Sequence, residues 1–276
     1  MKLLITIFTL LFYFSSNASD HKQNGTILVT AATGALGSTI CDVLASEGYN
    51  LLVSGRNNNK LTNLQKDLQK KYPNITVRNL IIDFSDTKTI ENAASKITLS
   101  SIEGIVLIGP RPSLNKNDIP SKDEWTKVFA ETFIAPLEVV RFFAPKIHNN
   151  GSIVVISGSS SKNFLPAYPN TNVVRLAWSG EIKNLMHLFA TRKIRVNAIS
   201  PGPILTQHHK NMITEKASLN NISYEEQLLK DTSSIPLKSY GETEDLGNLV
   251  VFLLSNKSSH INGSNILLDG GESNSY

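Results

Sequence analysis

Thr26-Ile-Leu-Val-Thr30-Ala-Ala-Thr-Gly34-Ala-Leu-Gly37 is the stretch that decides the fold. Its first half is a short apolar run of the kind that forms a strand buried on both faces. Its second half is a turn holding two glycines, and an amphipathic segment over 36–47 follows at once. A glycine-bearing turn between a strand and a helix lets backbone N–H groups approach a phosphate at the helix N-terminus. Ala31 stands where a first glycine is expected. Alanine is the least intrusive replacement, but it is expected to forfeit a positive φ.

From that turn the alternation runs on through the chain. A second strand is predicted at 50–54, a helix at 59–72 ended by Pro73, a third strand at 75–82 and a helix at 86–96. A fourth strand at 104–108 leads into a long helix over about 122–148, with Asn149-Asn150-Gly151 as its stop. A fifth strand at 152–157 precedes another long helix over about 172–191. The sixth strand, 195–200, is closed by Pro201-Gly202-Pro203. A polar insert over about 205–239 breaks the rhythm before a helix at 243–254 and a last strand at 265–269. Strands alternating with helices of this length mean βαβ units. The predicted fold class is α/β, a doubly wound parallel sheet of about seven strands with helices on both faces.

Composition narrows the function class. A chain of 276 residues, 41% hydrophobic, suits one large α/β domain. The formal charge of +4 comes without a run of five or six basic residues, which argues against a nucleic-acid partner. The single cysteine, Cys41, excludes an intramolecular disulfide and a cysteine metal cluster. At the start of a helix it reads as a small core residue. The histidines show no metal spacing, and no H-E-x-x-H, Walker A or G-x-S-x-G motif occurs. Near the start, Lys2 is followed by an apolar run over 3–14 and small residues at Ser16 and Ala18. That is the pattern of a secretory signal peptide over 1–18, cleaved after Ala18. The run is too short to cross a bilayer, so no stable membrane span is expected. The expected location is therefore exported, periplasmic or secreted, with cytoplasmic as the alternative.

Further blocks follow the strands in order: Gly55-Arg56-Asn57, Asp83-Phe-Ser-Asp86, Ile194-Arg-Val-Asn-Ala-Ile-Ser-Pro-Gly202 with Ile204 and Thr206, and Gly241-Glu-Thr-Glu-Asp-Leu-Gly through to Leu268-Asp-Gly-Gly271. With the first turn, these resemble the motifs of the short-chain dehydrogenase/reductase family over nearly all of Gly25 to Gly271. Within it the chain resembles the 3-oxoacyl-acyl-carrier-protein reductases. The resemblance implies one Rossmann-type domain over 25–276, the 205–239 insert covering substrate. It implies a nicotinamide-dinucleotide oxidoreductase acting on a small carbonyl or alcohol compound. The cofactor site it implies comprises Thr30, Gly34, Leu36, Gly37, Arg56, Asp83, Arg175, Pro201, Gly202 and Thr206. Arg56 lies where the family pairs an arginine with the 2′-phosphate of NADP, and no Asp or Glu stands between Leu51 and Lys60. NADP(H) is therefore preferred, with NAD(H) the alternative. Asp83 is expected to accept from the adenine amino group or to cap a helix. Pro201, Gly202 and Thr206 meet the nicotinamide amide or simply close the strand. Family members commonly pair the two long helices into a homodimer or homotetramer, so Trp125, Phe129, Phe133 and Trp178 serve either that interface or the core.

The catalytic positions depart from the family pattern. The family uses Asn, Ser, Tyr and Lys, in which Tyr donates the proton and Lys lowers its pKa. By the family spacing these fall on Thr132, Gly158, Thr171 and Arg175, and Gly109-Pro110-Arg111-Pro112 replaces the usual N-N-A-G. An aliphatic hydroxyl such as that of Thr171 is far too weak an acid to replace a phenol. Arg175 keeps a positive charge but cannot relay a proton. Ser157, Ser159 or Ser160 could supply the missing hydroxyl after a one-residue shift. Tyr168 is the candidate alternative acid, or an ordinary loop tyrosine. His208 and His209 open the insert, where paired exposed histidines are more often inert. Phe164, Leu165, Ile204 and Leu205 are expected to line an apolar substrate site. Three functions stay open: a reductase with an altered proton donor, a cofactor-binding protein with little or no turnover, and a structural relative that has lost both, against which the retained cofactor blocks count.

Overall fold

The computed structural model describes residues 24–110, 119–166 and 168–275. The signal-peptide reading of 1–18 lies outside them, as do Arg111 and Pro112.

The strands β1 (Asn24–Val29), β2 (Tyr49–Gly55), β3 (Val77–Ile81), β4 (Ile102–Ile108), β5 (Ile147–Ile156), β6 (Arg195–Pro201) and β7 (Asn265–Leu268) form one sheet of order β3-β2-β1-β4-β5-β6-β7. Every pairing is parallel. The order reverses between β1 and β4, so the crevice at the carboxyl ends there is the switch point of a doubly wound, Rossmann-type fold. The expected fold class is the observed one.

Period-two alternation divides the core. Ile27, Val29, Leu51, Val53, Val106 and Val154 face α1 (Ala35–Ser46), α2 (Asn58–Lys71) and α9 (Thr243–Leu254). Leu28, Leu52, Ile105, Leu107, Ile153 and Val155 face α3 (Lys88–Ser95), α5 (Ala135–Phe143) and α6 (Pro169–Leu188). Cys41 is buried in the first of these cores, where burial pushes its thiol pKa far up. It is the small core residue expected.

Three elements differ from the sequence reading. The helix predicted over 122–148 is broken into α4 (Lys122–Phe129), a π turn (Ala130–Ile134), α5 and a 3₁₀ turn (Ala144–Lys146). Pro136 is the cause of the first break. It has no N–H to give the Thr132 carbonyl four residues back, and its ring crowds that carbonyl. The freed carbonyl instead accepts from Trp178 Nε1 at 2.9 Å. Pro145 ends the segment in the same way, and β5 starts at Ile147, so Asn149-Asn150-Gly151 belongs to a strand. The second difference is α6, which starts at Pro169 and not near 172, because proline suits the first helical position. Third, the polar insert contains two helices, α7 (Gln207–Asn220) and α8 (Tyr224–Asp231). Thr206 caps α7, and a reciprocal capping box joins Ser223 and Glu226 at the start of α8. Among the described residues, no helix is long and apolar enough to cross a membrane.

Candidate functional site

The first turn sits at the carboxyl end of β1. Ala31 has φ +46°. The expectation that alanine forfeits a positive φ is therefore wrong for this turn. The surroundings over-determine the conformation: Ala32 N–H donates to Ser54 O at 2.8 Å and Gly34 N–H to Ala31 O at 3.0 Å. Gly34 (φ −81°) caps α1 without needing a glycine's dihedral range. Gly37 is glycine because a Cβ there would lie 2.3 Å from Ala31 O. Leu36 packs partly against the core beneath. The Thr30 side chain is turned to structural work: Oγ1 donates to Ile108 O at 2.9 Å and accepts from Ile108 N at 2.7 Å, tying β1 to β4.

One strand away, Arg56 is exposed just past β2, and two strands away Asp83 lies past β3. Asp83 Oδ1 accepts from Ser85 N (3.0 Å) and Ser85 Oγ (2.7 Å). These bonds, with the Arg56 charge behind them, hold its carboxyl below the usual range. Asp83 does not cap α3, whose N-cap is Thr87. On the far side, Gly202 N–H donates to Leu268 O, and a Cβ at Gly202 would lie 2.6 Å from Asp269 Cβ. Thr206 Oγ1 accepts from His209 N and lies 3.1 Å from His209 Nδ1. His208 stands beside His209 with ring centroids 5.9 Å apart.

The four positions that the family spacing assigns to the catalytic residues are placed as follows. Thr132, Thr171 and Arg175 line one cavity of ≈ 30 Å³, with Gly109, Pro110 and Pro136 among its other walls. Thr132 Oγ1 is occupied by Val128 O, in the π turn. Thr171 is buried, and its Oγ1 has no hydrogen-bond partner among the described residues. Arg175 Nη1 donates to Ile156 O at 3.3 Å. No carboxylate pairs with it among the described residues. Burial alone pushes its pKa down to about 10, so it remains cationic at neutral pH. Gly158 is in the extended region (φ 173°), so no dihedral demands glycine. What its missing side chain admits is the guanidinium: Arg175 Cζ lies 3.3 Å from where a Gly158 Cβ would stand.

The other candidates are placed differently. Ser159 is buried in a short turn and does not line the cavity. Tyr168 is the residue just before α6, half-buried, and does not line it either. Ile204 is 3% exposed and bridges to Gly241, so it belongs to the interior and not to a substrate wall, while Phe164 is 75% exposed. Sequence reading missed a buried polar network under the site. Ser161 Oγ and Ser200 Oγ are 2.8 Å apart, Ser200 Oγ donates to Asn265 Oδ1, and Asn265 Nδ2 returns to Ser161 Oγ. Its members lie 39 to 104 residues apart, so no local motif announces it. It missed the Thr132–Trp178 bond too, although Pro136 was a visible signal. Among the described residues no group of three or more metal-ligating side chains converges.

A family model described as enoyl-(acyl carrier protein) reductase matches residues 30–273. The chain is 26% identical over 250 residues to the NADPH-dependent reductase BacG of Bacillus subtilis, covering 89% of this chain and 96% of that one. It is 31% identical over 255 residues to the 3-oxoacyl-[acyl-carrier-protein] reductase FabG of Rickettsia conorii, covering 89% and 95%. Among solved structures it is similar to the L-sorbose reductase of Gluconobacter frateurii complexed with NADPH and L-sorbose. There the TM-score is 0.85 at 21% identity, over 92% of this chain and 98% of that one.

Proposed function

Because the chain belongs to the short-chain dehydrogenase/reductase family, we propose that it is an NADP(H)-dependent oxidoreductase acting on a small carbonyl or alcohol compound with an altered proton-donor set. The observation that carries this reading is Arg175. A half-buried arginine that faces a small cavity, with no carboxylate paired to it among the described residues, keeps donors for a ligand to complete. It lies against the carboxyl end of β5, at the same end of the strands as the 31–37 turn, Arg56 and Asp83. The residues fit a dinucleotide. The turn backbone and the start of α1 receive the pyrophosphate. Arg56 pairs with a 2′-phosphate, and Asp83 Oδ2 is open to the adenine amino group. Gly202 and Thr206 bound the nicotinamide amide, and Arg175 reaches the ribose. The name of BacG and the complex of the L-sorbose reductase support the phosphorylated cofactor.

The bound cofactor supplies a hydride. The chain's own residues orient the carbonyl and handle the charge left behind. Thr171 does not act as an acid near neutral pH, so Tyr168 is the phenol to test, and Ser159 is a residual hydroxyl near the loop. Thr171 in place of a phenol also favours a second reading, a cofactor-binding protein with little or no turnover. NADPH fluorescence titration of wild type and Arg56→Ala tests the cofactor site. Loss of a charge-assisted phosphate contact should weaken NADPH about 10-fold or more while leaving NADH nearly unchanged. Equal affinity of the unmodified protein for both cofactors overturns the preference. NADPH binding without oxidation across a panel of ketones and aldehydes favours the second reading.

A further inference from the structure

We propose that Arg175 and Thr171, with the side-chain-free Gly158 between strand and helix, form an oxyanion pocket that holds the substrate's carbonyl oxygen as it becomes negative. This rests on the reductase reading above and adds the group that replaces the missing phenol.

Four observations converge on it. Arg175 lines the cavity and is a cation without a partner carboxylate among the described residues. Thr171 lines the same cavity and is buried (6% exposed), and its Oγ1 is unpartnered among the described residues. The cavity, ≈ 30 Å³, holds about two waters by a measure in which one needs roughly 10–15 Å³. That is the size of a carboxylate or of the oxygen end of a larger molecule, and far too small for a whole substrate. The guanidinium also abuts the bare face of Gly158, the position from which a serine would reach the carbonyl. A serine there would bring its Cβ to 3.3 Å from Arg175 Cζ, so the guanidinium would have to give by a few tenths of an ångström. A low-dielectric site strengthens such an interaction when charge develops.

The step balances without an acid in the site. The carbonyl carbon gains a C–H bond with the electron pair of the hydride that a reduced nicotinamide supplies. The C=O π pair moves to oxygen, and the alkoxide is held by the guanidinium and the Thr171 hydroxyl. Solvent water then protonates it, leaving hydroxide in the bulk. Arg175 stabilises charge and never gives up its proton.

Formate is the probe, because it is a small oxyanion that fits the cavity and needs no cofactor. Cofactor-free protein is titrated with sodium formate, with sodium sulfate at matched ionic strength as the larger control, and the melting temperature is followed. The expected result is a saturable rise with formate but not with sulfate. Arg175→Met should abolish the saturable part, and Gly158→Ser and Thr171→Val should weaken formate at least 3-fold. Circular dichroism confirms that each variant is folded, and Thr171→Val carries the test if Arg175→Met is not. Formate curves that are identical in wild type and in the folded variants, or no saturable response in wild type, overturn the proposal. NADPH binding with no formate response sinks the oxyanion pocket alone. A formate response that follows Arg175, in a protein that fails to bind NADPH, supports the pocket and overturns the reductase reading.

Discussion

Ala31 holds φ +46° in the middle of the turn that opens the domain. A left-handed conformation costs an L-residue on the order of 1–2 kcal/mol, and glycine gives back part of that gain through its freer unfolded chain. Ala31→Gly should therefore stabilise the protein by about 1 kcal/mol and raise Tm by about 2–4 °C. Thermal unfolding checks it, and an unchanged or lower Tm would show that the turn relaxes around alanine. Residue spacing and the family pattern were enough to assign Thr132, Gly158, Thr171 and Arg175 to the positions of the family's Asn, Ser, Tyr and Lys. They could not show that Arg175 turns its guanidinium toward Gly158, nor that the Thr171 hydroxyl is left without a partner. Both depend on how α6 is seated on β5, which no local pattern encodes. Tyr168 illustrates the reverse. It is the nearest phenol in sequence, yet it stands at the start of α6, outside the cavity walls.

Elements were legible where hydrophobic period and punctuation agreed, and less so where proline acted within a helix. The apolar spacing of 122–148 reads as one helix, and it breaks at the π turn because Pro136 removes one bond and crowds Thr132. The break brings the Thr132 carbonyl to Trp178 and the Thr132 side chain to the cavity wall. The insert was read as polar because α7 and α8 bury few apolar residues, Ile213 and Ala217 among them. Its sequence nonetheless carries a start signal: Ser223 accepts from Glu226 N, and Glu226 Oε2 accepts from Ser223 N at 2.8 Å. Ser223→Ala should destabilise α8 by about 1 kcal/mol. Because an insert helix opens more easily than the sheet core, faster amide exchange over 223–231 is expected, with little change in the global melt. Exchange that stays as slow as in wild type would show that packing against α7, not the cap, sets the order of α8.

At the scale of the molecule, two hydrophobic layers cover a seven-stranded sheet, and some large aliphatic side chains stay exposed. Val173 and Leu176 on α6 are 43% and 58% exposed, and Ile134 in the π turn is 52% exposed. Trp178 is core (4% exposed) and meets Phe133 edge-on at 5.2 Å, while Trp125, Phe129 and Phe133 are half-buried. Exposed aliphatics of this kind mark association sites more often than chance. A homodimer or homotetramer through this face predicts that Leu176→Glu lowers the mass measured by light scattering to that of a monomer. The same assembly mass in the variant would place any interface elsewhere. The sequence alone determined the α/β class, the parallel sheet and the order in which the motifs follow the strands. Those follow from periodicity and from turns that only certain residues can make, which are local properties. Tertiary structure alone decided that an alanine is held left-handed and that a serine–asparagine network lies beneath the site. It also decided that an arginine stands without a counter-charge beside a glycine. Each of these rests on atoms brought together from distant parts of the chain, whose desolvation and contact exist only once the sheet and helices are packed.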